Sequence, residues 1–135
     1  MAANLTLLPK VKRMMHAFLA EAQKQGIRLL VTQGYRSKEE QDAIYAQGRT
    51  KPGKIVTQAK GGSSLHNFQV AFDVCGFDGK KVYYNVNWKK LGEIAVKIGL
   101  EHGDRGYVDL PHFQYRAGYS LKDFQTGKID LKKFA

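Results

Sequence analysis

The chain has one cysteine, three prolines and one tryptophan among its 135 residues. A lone thiol, Cys75, cannot close an internal disulfide, so nothing in the fold depends on an oxidising compartment. No apolar run approaches the ~20 residues that cross a bilayer. Near the N-terminus Lys10, Lys12 and Arg13 fall inside a helical pattern instead of preceding an apolar stretch. The expectation is a soluble chain without signal peptide or transmembrane segment, cytoplasmic on synthesis. Acidic residues are scarce too. Twelve Asp and Glu against 22 Lys and Arg leave a net charge of +10. Such a field attracts polyanions, whether nucleic acid, anionic membrane or acidic polymer, without choosing among them. What is present is ordinary for a folded domain: 43% hydrophobic and 25% charged residues, in a length that suits one continuous core.

Periodicity divides the chain. Val11, Met14, Met15, Phe18, Leu19 and Ala22 mark one face of a helix from Pro9 to Gln25, stopped at Gly26. Ile27–Thr32 reads as a strand, and Ser37 with Glu40 forms a capping box for a helix over about 38–47. The stretch from Arg49 to Ser64 is a long Lys-, Gly-, Thr- and Ser-rich loop, and loops of that length in compact domains are usually functional. Val70–Cys75 reads as a strand with Asp73 on the face of Ala71 and Cys75. Asp78-Gly79 signals a hairpin, and Asn87 caps a helix carrying Trp88, Leu91, Ala95 and Ile98, stopped at Gly99. Leu100–His102 reads as a short strand, Gly103–Val108 as a turn and Leu110–Tyr115 as the last strand. The expected class is α+β, a single domain over 1–135 with helices packed on a small antiparallel sheet. Its core spans about 9–115, and 116–135 forms a basic tail with a short helix, loosely packed.

Two stretches carry chemistry. His66 and Asp73 stand seven residues apart, and Asp109 and His112 stand three apart. Two imidazoles and a carboxylate can hold Zn²⁺ and leave a fourth position for water. A mid-strand carboxylate such as Asp73 needs a cation or several hydrogen bonds to be tolerated. A salt bridge to one of the many Lys and Arg residues is the competing reading, and His102 competes as third ligand. A Cys75/His nucleophile pair is disfavoured, because Cys75 ends an apolar strand instead of sitting in an electropositive site. On a regular strand Asp109 and His112 would face opposite ways, so their cooperation requires a bend, for which Pro111 is available.

Ser64-x-His66 followed by Ala71-Phe72-Asp73, then Asp109-Leu110-Pro111-His112-Phe113, resembles the zinc D-alanyl-D-alanine carboxypeptidase family. More narrowly it resembles the L-alanyl-D-glutamate endopeptidase branch that includes phage endolysins. Gly34-Tyr35-Arg36-Ser37, Glu40-Gln41 and Tyr45-x-Gln47-Gly48-Arg49 match that branch's N-terminal motif. The resemblance spans roughly Pro9 to Tyr115 and implies the fold shared with the hedgehog signalling domain. It implies that His66, Asp73 and His112 bind zinc and that Asp109 is the general base; if Asp109 were structural, Glu101 would be the first other candidate. It further implies that Arg36 stabilises an oxyanion and that Ser64 hydrogen-bonds substrate. Two departures stand out: Gln69 where many members have Gly, and a short 102–108 segment without the Trp often found there.

The expected function is therefore a zinc-dependent peptidase of the peptidoglycan stem peptide, cutting the L-Ala–D-Glu bond. It would be a monomeric, cell-wall-lysing endolysin that reaches its substrate after holin-type release. Attraction to anionic wall polymers would account for the charge. The alternatives are a D-Ala-D-Ala carboxypeptidase of the same fold and a non-catalytic hedgehog-like zinc module. Nucleic-acid binding is not expected, since no recognised motif accompanies the basic residues.

Overall fold

A computed structural model describes residues 3–103 and 109–135. Helix α1 (Pro9–Lys24) and helix α3 (Trp88–Ile98) pack on one face of a five-stranded antiparallel sheet. The strands are β1 (Leu29–Gln33), β2 (Ala71–Phe77), β3 (Val82–Tyr83), β4 (Glu101–His102) and β5 (His112–Gln114), in the order β1-β2-β5-β4 with β3 beside β2. Helix α2 (Lys38–Ala46) follows β1, and α4 (Leu121–Thr126) follows β5. Single 3-10 turns lie at Leu65–Phe68 and Leu131–Phe134.

The sequence periods account for these elements. Val11, Met14, Met15, Phe18 and Ala22 are the buried stripe of α1, and Leu91, Ile94 and Ala95 that of α3. Ser37 accepts from the Glu40 backbone N–H while Glu40 accepts from that of Ser37, so the expected capping box forms. Asn87 likewise caps α3. On β2 and β5 the period of two separates two functions. Phe72 lies opposite Phe113 and packs with Phe18 beneath the helices, while Asp73 lies opposite His112 on the other face. Burying three phenylalanines stabilises the fold by about 2–3 kcal/mol each.

Several expectations need correction. Strand β1 starts at Leu29 and β5 only at His112, later than the apolar runs suggested, while β2 runs on past Cys75 to Phe77. The C-terminal segment is not a loosely packed tail. Phe124 and Phe134 are buried and close the aromatic cluster with Tyr115 and Tyr119, which seals the open end of the core. All of the expected 103–108 turn but Gly103 lies outside the described residues. The residues before α1 gave no signal, yet they form a strap. Tyr35 donates to the Asn4 carbonyl, Leu8 to that of Gln69, and the Gln69 amide to that of Thr6.

Candidate metal centre

The site lies on the face of the sheet away from α1 and α3. Asp73 and His112 are cross-strand partners in the β2–β5 ladder, and backbone pairing alone brings the two side chains together. His66 comes from the 3-10 turn that leads into β2. That turn is laced to the loop after β1: the Arg36 N–H donates to the His66 carbonyl, and the Asn67 side chain donates to the Arg36 carbonyl. Gln69 ends the turn with φ of 66°, a left-handed conformation that explains why glycine would suit this position.

His66 Nε2 lies 3.3 Å and His112 Nδ1 3.1 Å from Asp73 Oδ1, and one ligand atom from each of the three residues lies within 4.8 Å of the others. Donor atoms on a tetrahedral zinc are separated by ~3.3 Å when metal–ligand bonds are ~2.0–2.1 Å. The donor set therefore fits zinc in chemistry and spacing. Each imidazole is also steered through its other nitrogen. His66 Nδ1 is 2.8 Å from the Gly34 carbonyl and His112 Nε2 is 2.7 Å from Gln114 Oε1, as expected of metal-ligating histidines.

Electrostatics agree with geometry. Burial works against the Asp73 charge, yet hydrogen bonds from His112 and His66 hold the carboxyl well below the usual carboxylate range. For His112, burial also opposes the charge, but the hydrogen bond and charge of Asp73, aided by Gln114, raise its pKa above the ordinary value. Three polar groups are thus held together by mutual attraction, and a metal bound among them would have to displace the His112 proton.

A cleft of about 800 Å³ opens over this cluster, and Arg36, Ser64, His66, Asp73, Asp109 and His112 all line it. The six residues to which the resemblance assigns roles therefore lie in one place. Asp109 and His112 bracket a turn closed by the His112 N–H on the Asp109 carbonyl, with Pro111 inside it. The bend that their cooperation required is present, and β5 begins only after it. Burial lowers the pKa of Arg36, opposed by the charges of Asp73, Glu40 and Asp109. Its Nε is buried without a hydrogen-bond partner among the described residues. Ser64 Oγ accepts from the His66 N–H, the backbone-capping role that was the plainer reading, and still faces the cleft.

These observations decide where the chain belongs. The family described as VanY, D-alanyl-D-alanine carboxypeptidase, matches residues 4–117. The chain belongs to that family. It is 40% identical over 121 residues to the peptidoglycan L-alanyl-D-glutamate endopeptidase CwlK of Bacillus subtilis, covering 80% of this chain and 72% of that protein. Its fold matches the L-Ala D-Glu endopeptidase ChiX of Serratia marcescens with a TM-score of 0.60 at 20% identity, covering 90% and 87% of the two chains. It also matches a vancomycin-resistance D,D-pentapeptidase VanY in complex with Zn(II), TM-score 0.61 at 19% identity, covering 92% and 80%.

Two rival assignments fall away. His102 is not in the cluster: its ring stacks on Phe113 at 4.5 Å and on Trp88 at 6.4 Å, and its Nε2 donates to the Leu110 carbonyl. Glu101, the alternative base, faces Arg116 and Gln114 and does not line the cleft. Sequence reasoning passed over two contributors. Asn67 ties the turn together, accepting from the Gly62 and Ser64 N–H groups. Gln114 sits two residues from His112 on the same strand face, a period-two signal that could have found it. The far wall of the cleft, Ile55–Ala59, belongs to the 49–64 loop whose length already pointed to function, and α2 and Arg49 hold it. Gln41 donates to the Ala59 carbonyl, and Arg49 donates to the Tyr45 and Thr57 carbonyls while lying over the Tyr45 ring.

Proposed function

We propose that the chain is a zinc-dependent peptidoglycan peptidase that hydrolyses the L-Ala–D-Glu bond of the stem peptide. The observation that carries the chemistry is the convergence of a His, Asp, His donor set, a further carboxylate and a half-buried guanidinium on one cleft. The choice of bond rests on the 40% identity to CwlK. His66, Asp73 and His112 are the metal ligands. A bound zinc would supply Lewis acidity and make water a nucleophile near neutral pH.

The protein's own groups do the rest. Asp109 accepts a proton at its carboxylate and returns it to the leaving amine, a task that needs a base beside the ligands but not among them. Arg36 faces the negative charge that develops on the scissile carbonyl oxygen, and its buried Nε, without a hydrogen-bond partner among the described residues, makes the guanidinium receptive to an anionic partner. Ser64 uses its oxygen as a cap acceptor and so keeps its O–H to donate to substrate. The wall formed by Ile55–Ala59 confines the peptide opposite the ligands. In the same reading the chain acts as a monomeric lysin delivered to the wall through a holin-type pore, and its charge of +10 draws it to anionic envelope polymers.

Mass spectrometry of products from defined stem peptides tests this. Cleavage between L-Ala and D-Glu, abolished by chelator and restored by zinc, is the expected result. Release of D-Ala alone from a pentapeptide would establish the D-Ala-D-Ala carboxypeptidase reading, which the family description favours. No hydrolysis by zinc-loaded protein would leave the non-catalytic module. Lysis of whole envelopes should fall steeply with salt, and cleavage of a short soluble peptide much less, because screening acts on long-range attraction.

A further inference from the structure

A chain of hydrogen bonds leaves the centre along the same face of the sheet, from β5 toward β4. His112 Nε2 meets Gln114 Oε1 at 2.7 Å, and Gln114 Nε2 donates to Glu101 Oε1 at 3.2 Å. Glu101 is itself gripped by Arg116, whose Nε and Nη2 donate to its two carboxylate oxygens at 2.6 Å each. Gln114 is fully buried, and Glu101 lies opposite it in the β4–β5 ladder.

Each link has only one workable polarity. A carboxylate paired with a guanidinium can only accept, so the Gln114 amide must turn its NH₂ toward Glu101. Its carbonyl oxygen is then left facing His112, and a carbonyl oxygen can only accept. His112 must therefore carry a proton on Nε2. Its Nδ1, 3.1 Å from Asp73, is the nitrogen left to offer a lone pair at the centre. We infer that Arg116, Glu101 and Gln114 form a polarity relay that selects the metal-binding tautomer of His112. They are positioning residues for the metal, acting through His112, and Gln114 is the one that touches it. The inference rests on the reading of His66, Asp73 and His112 as metal ligands.

The structure also says why a relay is useful here. A neutral glutamine alone can rotate its amide and present either group to the histidine. The charge on Glu101, two hydrogen bonds from His112, removes that choice. A carbonyl acceptor polarised by a carboxylate also raises the basicity of the ligating nitrogen. At His66 the same task falls to the Gly34 backbone carbonyl, which cannot flip.

The test measures zinc affinity by chelator competition, without turnover, and follows the His112 ring nitrogens by NMR in the zinc-loaded protein. Gln114→Leu should weaken zinc binding by about 10–100-fold, the usual effect of removing such a partner. Glu101→Gln keeps size and lets the Gln114 amide turn either way. It should weaken zinc by up to about tenfold and broaden or shift the His112 Nε2–H resonance, a signature that loss of packing alone would not produce. If Gln114→Leu does not fold, Glu101→Gln decides by itself, since the Glu101 side chain is 41% exposed. Wild-type zinc affinity within about twofold together with an unmoved Nε2–H resonance in folded Glu101→Gln would overturn the relay. Failure of the wild-type protein to bind zinc would instead overturn the metal reading on which it rests.

Discussion

His112 and His102 lie on adjacent strands of one sheet and do opposite things. His112 faces Asp73 and the cleft, with its outer nitrogen on Gln114. His102 pairs with Phe113, one position along, and so faces the helices. There its ring is wedged between Trp88 and Phe113, close enough to α3 that a Cβ at Gly92 would approach its Nδ1 to 2.8 Å. One step along a strand reverses the face a side chain presents, and with it the difference between a proposed ligand and a packing residue. Local sequence does not announce this. Both histidines can be read as ligands until strand register is known.

The largest expected effect tests the cleft face. His112→Ala, His66→Ala or Asp73→Ala should each abolish stoichiometric zinc in a metal analysis, because three protein ligands leave no spare. His102→Ala should retain it, and the reverse pattern would exchange the roles of the two histidines. Next in size, Asp109→Asn should keep zinc and fold yet lose ~10²–10⁴ in turnover on a stem peptide, the range of a positioned acid–base group. A wild-type rate with zinc in place would make Asp109 structural.

The core-facing side predicts a stability effect instead. His102→Ala removes two ring contacts and the bond to the Leu110 carbonyl, and should cost about 1–3 kcal/mol in chemical denaturation with zinc affinity unchanged.

Protonation separates the two faces further. The His112 pKa is raised in the metal-free protein above its ordinary 6.5. Its contribution to metal-free stability is complete below that value and is lost as pH rises through the folded value. Zinc must displace the same proton, so affinity should fall toward about tenfold per pH unit once pH drops below the folded value. The thermal midpoints of loaded and metal-free protein should therefore diverge as pH rises and converge as it falls, measurable in parallel melts. Asp73 adds the opposite sign at lower pH, where its depressed carboxyl titrates and stability is lost on further acidification.

The smallest effect belongs to the turn between His66 and Asp73. Gln69→Gly relieves a left-handed non-glycine residue but deletes the bond to the Thr6 carbonyl. Relief of about 1 kcal/mol against one net hydrogen bond of similar size predicts a change within about 1 kcal/mol in either direction.

Much of this was written in the order of residues. The stripe of α1, the Ser37 and Asn87 caps, and the alternation that sets Phe72 inward and Asp73 outward are local properties with fixed periods, and they stand in the structure. The six cleft residues were identifiable because their types and spacings recur in a known family. Three things waited for the tertiary structure. The register of β4 against β5 sent His102 to the core and Glu101 toward Arg116. Packing of Phe124 and Phe134 converted an apparent tail into part of the core. The wall at Ile55–Ala59, carried on a loop without periodicity, is held by Gln41 and Arg49, whose partners lie 8 to 18 residues along the chain. A period can be read along a sequence because it repeats within one element. Register, end-packing and loop placement depend on which elements meet, and that is decided only when the whole chain closes around one core.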